Sequence, residues 1–243
     1  MDFTRKARYV ENGAMTDTPV GLCYSSVVSR DSVIISFLVA ALNDLDILAC
    51  DISNGYINAT FRERIWCVTR MECGKNLEGK DMKLVRVLYG LKISGAIWRK
   101  MLKYQIVNVL GLTPSTIDTN MYYRRNTTED GTDYYELSLI YVDDVLSCSH
   151  DAKAVMAGIE AEFEIKNDKI SEPKIYLGGK VEKFQLPNGK HAWSTTSNSY
   201  VQGAIDNVKR IISEDGRKSK TVKRPHKGPL THGYKPELDM TDE

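Results

Sequence analysis

Apolar residues at Ile34, Ile35, Leu38, Ala41, Leu42 and Leu45 recur three and four apart. That spacing predicts a helix over residues 31–45 with Asp31 or Ser32 as its N-cap. The pattern then changes. Asp46-Ile-Leu-Ala-Cys-Asp51 reads as a short buried strand ending in an acid, followed by a turn through Ile-Ser-Asn-Gly-Tyr56. Strands are expected over 62–70 and 83–88, separated by the polar turn 73–81. Residues 95–110 return to helical spacing through Trp98, Leu102, Ile106 and Val109, with Ser94 as N-cap and Gly111 as the stop. Strands over 119–125 and 134–147 flank the hairpin signal Asn126-Thr-Thr-Glu-Asp-Gly-Thr132. A helix over 151–165 turns Val155, Met156, Ile159 and Phe163 inward. Residues 174–184 and 190–195 form a hairpin across Pro187-Asn188-Gly189, and 197–213 a last helix. From 214 onward the chain is polar, with Gly, Pro and charges. Periodicity thus gives an α+β chain.

One strand carries candidate chemistry. Asp143 and Asp144 stand side by side in Leu137-Ser-Leu-Ile-Tyr-Val-Asp-Asp-Val-Leu-Ser-Cys148. Two charges inside an apolar run are costly unless something positive neutralises them. A hairpin that pushes both acids out at its turn, toward a divalent metal, resolves the conflict. Mg²⁺ prefers carboxylate oxygens and suits substrate phosphates. Asp51, at the end of its buried strand, is the candidate third carboxylate, although strand-end Asp residues are often plain turn formers. Three such acids could hold two ions roughly 3.5–4 Å apart. They are expected to converge at a cleft, which points to metal-dependent phosphoryl transfer.

Tyr141-Val-Asp-Asp144 resembles the YxDD signature of reverse transcriptases, and the wider pattern is similar to the copia-type LTR retrotransposon polymerases. The stretch LDILACDISNGYINATF from Leu45 supplies an acid followed five residues later by an aromatic. VLYGLKISGAIWR from Val87 resembles the family's YGLK-x-SG-x-x-W block, and Pro173-Lys-Ile-Tyr-Leu-Gly178 the segment that grips the primer. The likeness runs from about Thr4 onward, and four ordered blocks are far more specific than four letters.

The resemblance implies a palm with partial fingers: an antiparallel sheet carrying the acids on one face and helices on the other. It implies a reverse transcriptase domain over 1–213, reaching at most the start of a thumb, with 214–243 a tail or linker. Asp51, Asp143 and Asp144 would be catalytic and would bind two Mg²⁺ ions, with the Ile52 carbonyl as an extra ligand and Mn²⁺ as a substitute. Arg5, Lys6, Arg8, Tyr56, Tyr89, Gly90 and Lys92 would contact the incoming nucleotide, with Tyr56 as the gate against ribose. Tyr141, Val142, Tyr176, Leu177 and Gly178 would meet the primer–template. By themselves Tyr89-Gly90-Leu91-Lys92 read as a helix-entry turn, the glycines at 178 and 179 as a β-bulge, and Trp98 as core.

The implied function is RNA-directed DNA synthesis, with primer, an RNA or DNA template and dNTPs as partners, alongside the integrase and RNase H of a full-length element. The alternative is an inactive, truncated remnant that at most binds primer–template. Gly55 in place of the usual Ala, Ile93 in place of a small or polar residue, and short fingers make that credible. Another palm polymerase, making RNA, is opposed by the aromatic Tyr56. The residues after 213 leave no room for an RNase H, so that activity is not expected. With a thumb reduced at most to the 197–213 helix, few contacts would hold the primer–template and poor processivity is expected.

Composition changes this little. The 243-residue chain has 42% hydrophobic and 27% charged residues and a formal charge of +1, so nucleic-acid contacts must come from local patches. The densest basic cluster is Arg217, Lys218, Lys220, Lys223, Arg224 and Lys227. Five cysteines without a CxxC pair read as reduced thiols. With no membrane-length apolar run and no signal-peptide core, the expected location is the cytoplasm, virus-like particles or the nucleus, not a membrane or the secreted space. Gly74-Lys-Asn-Leu-Glu-Gly79-Lys80 has phosphate-loop spacing, but Asp81 stands where Ser or Thr would hold Mg²⁺, and a strand follows.

Overall fold

The structure is a computed structural model and describes residues 9–16 and 23–214. Its centre is a five-stranded antiparallel sheet. The strands are β1 (Asp46–Asp51), β4 (Thr113–Pro114), β5 (Met121–Thr127), β6 (Asp133–Tyr141) and β7 (Asp144–Ser149), in the order β1-β7-β6-β5-β4. β1 has the predicted bounds. The strand expected over 134–147 is two strands, because the chain reverses at Val142 and Asp143. Asp143 in that turn and Asp144 at the start of β7 are only partly buried, unlike the apolar residues of the flanking strands.

Two cores lie on the two faces of this sheet. On one face α3 (Ser94–Tyr104) and α4 (Ala152–Glu160) bring Trp98, Leu102, Met156 and Ile159 against Cys50, Ile52, Ile140 and Val145. The residues predicted to point inward over 151–165 are all buried, but the helix ends at Glu160 and Phe163 lies beyond it. Asp151 caps the helix by accepting from the Ala154 N–H. α3 begins after Ile93, not with Ser94 as a capping side chain. The Ser94 hydroxyl instead donates to the Leu88 carbonyl. A π-helical turn, Gln105–Val109, then shifts the phase of the helix, which leaves Val109 60% exposed while Ile106 stays buried.

On the other face, α1 (Arg30–Leu42) packs Val33, Phe37 and Ala40 with Ile47, Leu139, Leu146 and Cys148. The predicted stripe is displaced: Ile34, Ile35, Leu38 and Leu42 are exposed. The helix is apolar almost all round, so its period fits more than one face. Ser32 and Ser36 can lie inward because their hydroxyls are satisfied, by Asp118 and by the Ser32 carbonyl. The cap is Ser29, one position before the helix, which accepts from the Ser32 N–H.

Three further strands, β8 (Ile175–Tyr176), β9 (Gly179–Gln185) and β10 (His191–Thr196), form a second sheet that joins this core through Tyr176 and Val181. The strand expected over 174–184 is broken by a two-residue turn at Leu177 and Gly178, both at positive φ, as the tightest hairpins require. β2 (Thr60–Val68) and β3 (Asp81–Arg86) pair as a separate ribbon, and α2 (Gly55–Asn58) is a single turn after β1. α5 (Asn198–Glu214) belongs to a second compact unit beginning at Ser197 and is amphipathic, with Val201, Ile205, Val208 and Ile212 exposed along it. No helix of the described residues is long and apolar enough to cross a membrane.

Candidate active site

The antiparallel register of β1 and β7 sets Asp51 directly opposite Asp144. The preceding pair, Cys50 and Val145, belongs to the core under α3 and α4, so alternation puts both acids on the opposite face. That face also carries α1 farther along the strands, so helices cover both faces and not only the one away from the acids. Asp143 sits in the turn between β6 and β7. Only the first central residue of this turn, Val142, has positive φ (59°), as in a type II′ turn, where Gly is the usual occupant. A β-branched residue held there is strained by about 1–3 kcal/mol. Two hydrogen bonds hold it. The Trp98 indole N–H donates to the Val142 carbonyl at 2.7 Å, and the Ile52 N–H donates to the Asp143 carbonyl at 2.8 Å.

The acids feel one another. Burial, then the charges of Asp143 and Asp51, push the Asp144 carboxyl up to about 6. Lys166 opposes this and forms an ion pair with Asp51. The hydrogen bond to Asp51 raises the lysine's own pKa, and the charges of all three acids add to that. Backbone pairing brings Lys166 there: Ile165 bridges Ile52, and the Ser53 N–H donates to the Glu164 carbonyl at 2.8 Å. Sequence reasoning missed Lys166, because nothing local ties it to acids more than twenty residues away. Its only signal was a cation just past the buried Phe163 and Ile165.

The donor set fits a hard divalent cation in its chemistry, carboxylate oxygens at the end of two paired strands. The expected convergence is met by the backbone and not by the side chains. Among the described residues, no three His, Cys, Asp or Glu side chains are gathered closely enough to hold a metal ion.

A family profile described as reverse transcriptase (RNA-dependent DNA polymerase) matches residues 2–202. The chain belongs to this reverse transcriptase family. It is 28% identical over 196 residues to the Transposon Ty1-BL Gag-Pol polyprotein of Saccharomyces cerevisiae (strain ATCC 204508 / S288c), and equally to the Ty1-MR1 and Ty1-GR1 polyproteins of the same strain. Each match covers 77% of this chain and 11% of the polyprotein. Together the family match and these relatives support a copia-type LTR retrotransposon reverse transcriptase region.

The remaining candidate residues lie in different settings. Tyr56 lies beside the acids: it is half-buried, its ring centroid is 4.7 Å from that of Tyr89, and burial, then the charge of Asp143, raises its phenol pKa. Gly90 and Lys92 engage the chain itself. Gly90 has φ 92°, and a Cβ there would lie 2.0 Å from the Glu11 carbonyl oxygen. The Glu11 N–H donates to the Tyr89 carbonyl at 2.9 Å, and Lys92 donates to the Thr16 carbonyl at 2.7 Å. The close approach that Gly90 permits is therefore to residues 11–13. Ile52 is wholly buried.

Tyr141 is at the surface, whereas the Tyr176 ring is buried in the core that includes α1. Leu177 and Gly178 are exposed at their turn. Gly179 makes room for Thr195, whose hydroxyl oxygen would lie 2.8 Å from a Cβ, so the turn is a tight hairpin and not a bulge. Arg5, Lys6, Arg8 and the basic cluster after 214 lie outside the described residues.

Proposed function

We propose that this chain is an RNA-directed DNA polymerase domain. The observation that carries the reading is the facing pair Asp51 and Asp144 with Asp143 in the adjoining turn, in a chain of this family. The reaction is attack of a primer 3′ hydroxyl on the α-phosphorus of a dNTP. The new P–O bond forms as the bond to pyrophosphate breaks.

Asp51, Asp143 and Asp144 would hold two Mg²⁺, with Mn²⁺ as a substitute and the Ile52 carbonyl as a further oxygen. Bound there, the ions would lower the pKa of the attacking hydroxyl and offset the charge of the leaving pyrophosphate. The protein's own part is orientation and exclusion. The short turn fixes two acids relative to the end of β1. Tyr56, braced on Tyr89, would be the planar ring that excludes a ribose 2′ hydroxyl. Arg5, Lys6, Arg8, Gly90 and Lys92 are the candidates for the triphosphate side. Tyr141, Val142, Leu177 and Gly178 are the candidates for primer–template contact, with Tyr176 as the buried support beneath the last two.

The chain spans a small part of the polyproteins it resembles, so partnership with integrase and RNase H regions is part of this proposal. So is a location in the cytoplasm, virus-like particles or the nucleus. The test is extension of a DNA primer on an RNA template with dNTPs and Mg²⁺. The reading expects template-directed products that EDTA abolishes. A folded protein that binds primer–template and never extends it would establish the inactive remnant instead.

A further inference from the structure

The acid-bearing segments share one buried neighbour. Trp98 is 1% exposed, and its indole N–H donates to the carbonyl of Val142, 44 residues away. The nitrogen-bearing edge of the ring lies against Gly55, where a Cβ would be 3.0 Å from Cε2 and 3.2 Å from Nε1. Gly55 begins α2, just after the turn that follows Asp51. The ring also meets Phe163 edge-on at 5.4 Å, three residues before Lys166. One side chain thus touches the segment after Asp51, the turn holding Asp143, and the segment leading to Lys166.

The bond to Val142 has a specific consequence. In a two-residue hairpin the central peptide can take two orientations. With its carbonyl one way the second residue has positive φ (type I′); turned over, that residue has negative φ (type II′). Here Val142 has positive φ and Asp143 does not. The indole N–H grips the carbonyl of that central peptide, so it selects the orientation that sets the direction of the Asp143 Cα–Cβ bond. Non-Gly residues gain nothing at the first turn position, so the sequence of the turn does not itself make this choice.

We propose that Trp98 is a positioning residue for nucleotidyl transfer, its indole N–H locking the Val142–Asp143 peptide so that Asp143 faces the ion-binding side of Asp51 and Asp144. The proposal rests on the polymerase reading above but predicts ion binding independently of turnover.

The test compares wild type, Trp98→Phe, Val142→Gly and the double variant, with Ile159→Val as a change in core packing on α4. Mn²⁺ affinity is read by electron paramagnetic resonance, and single-nucleotide incorporation by rate and dNTP KM. Trp98→Phe keeps an aromatic ring and removes the N–H together with part of the indole's volume, a packing loss that Val142→Gly would not repair. It is expected to weaken Mn²⁺ binding at least 5-fold and to slow incorporation at least 10-fold with dNTP KM unchanged. Glycine at the first turn position favours the same turn unaided, so the double variant should recover most of the lost Mn²⁺ affinity. A Trp98→Phe effect no larger than that of Ile159→Val, or a loss of Mn²⁺ affinity that Val142→Gly does not restore, overturns the proposal. If Trp98→Phe does not fold, the wild-type indole N–H resonance decides: a Mg²⁺-dependent shift supports the proposal and an insensitive resonance overturns it. A wild type that binds Mn²⁺ but never incorporates nucleotides would refute the polymerase reading while leaving the ion-binding comparison intact.

Discussion

Tyr56 concentrates the selectivity argument in one residue. Its ring is fixed by Tyr89 and its phenol feels Asp143, so it borders the acids and is not a remote core aromatic. Tyr56→Val should retain much of the dNTP incorporation and raise rNTP incorporation, since only steric exclusion is lost. An unchanged dNTP/rNTP ratio in an active variant would make Tyr56 structural. Asp118 does a different kind of work. Burial pushes its carboxyl up, but hydrogen bonds from the Ser29 N–H, the Ser32 hydroxyl and the Asn120 N–H outweigh this and leave it below its ordinary 3.8. A depressed carboxylate contributes stability that is complete above its unfolded pKa and is lost as pH falls through the folded one. Asp118→Ala should therefore cost about 1–3 kcal/mol near neutrality. The Tm gap to wild type should hold from about pH 5 to 8 and narrow below about 4. A gap that widens in acid would contradict this account of the α1 entry.

Among the elements, the loop before α3 is a lock between distant stretches of chain. Gly90 at positive φ lies against Glu11, and Val10 bridges Tyr89. Gly90→Ala adds both backbone strain and a collision with a carbonyl oxygen, so a loss of about 1–3 kcal/mol is expected. Hydrogen exchange should accelerate over residues 9–16 and 89–92 and stay slow in β1 and β7. Unchanged protection of residues 9–16 would show that this contact is dispensable.

Elements of this kind also show what the sequence could and could not reveal. β1 and α4 were legible because each has one apolar pattern and clear punctuation. The face of α1 was not, since its apolar residues surround the helix and two serines are buried on their own hydrogen bonds. The turn at Leu177 and Gly178 hid inside a strand-like run, and the π turn after α3 left no mark that periodicity can read. The hairpin turn at Asp143 and Asp144 was legible because paired charge inside an apolar run is anomalous. Lys166 was not, because strand pairing, and not local spacing, brings it to Asp51. The link from Trp98 to Val142 was equally hidden, since an indole at helical spacing looks like any core residue.

At the scale of the whole molecule, the sheet with its two cores presents the end of β1 and the β6–β7 turn together, and the carboxylates there repel one another. The formal charge of +1 gives no general attraction to nucleic acid. Affinity for primer–template should therefore come from local basic contacts and fall steeply as salt rises. Binding that is flat between 50 and 200 mM salt, roughly the range over which phosphate contacts are lost, would point to a different kind of partner.

The central claim is that Asp51, Asp143 and Asp144 act as one nucleotidyl-transfer site. Its most direct test is single-nucleotide incorporation on a DNA primer and RNA template at saturating Mg²⁺. Wild type would be compared with Asp51→Asn, Asp143→Asn and Asp144→Asn, each shown by circular dichroism to be folded. Each variant should lose at least about 10²-fold in rate, the scale of removing one group that stabilises transition-state charge. A folded variant that incorporates at the wild-type rate would contradict the account, because one of the three acids would then be a bystander.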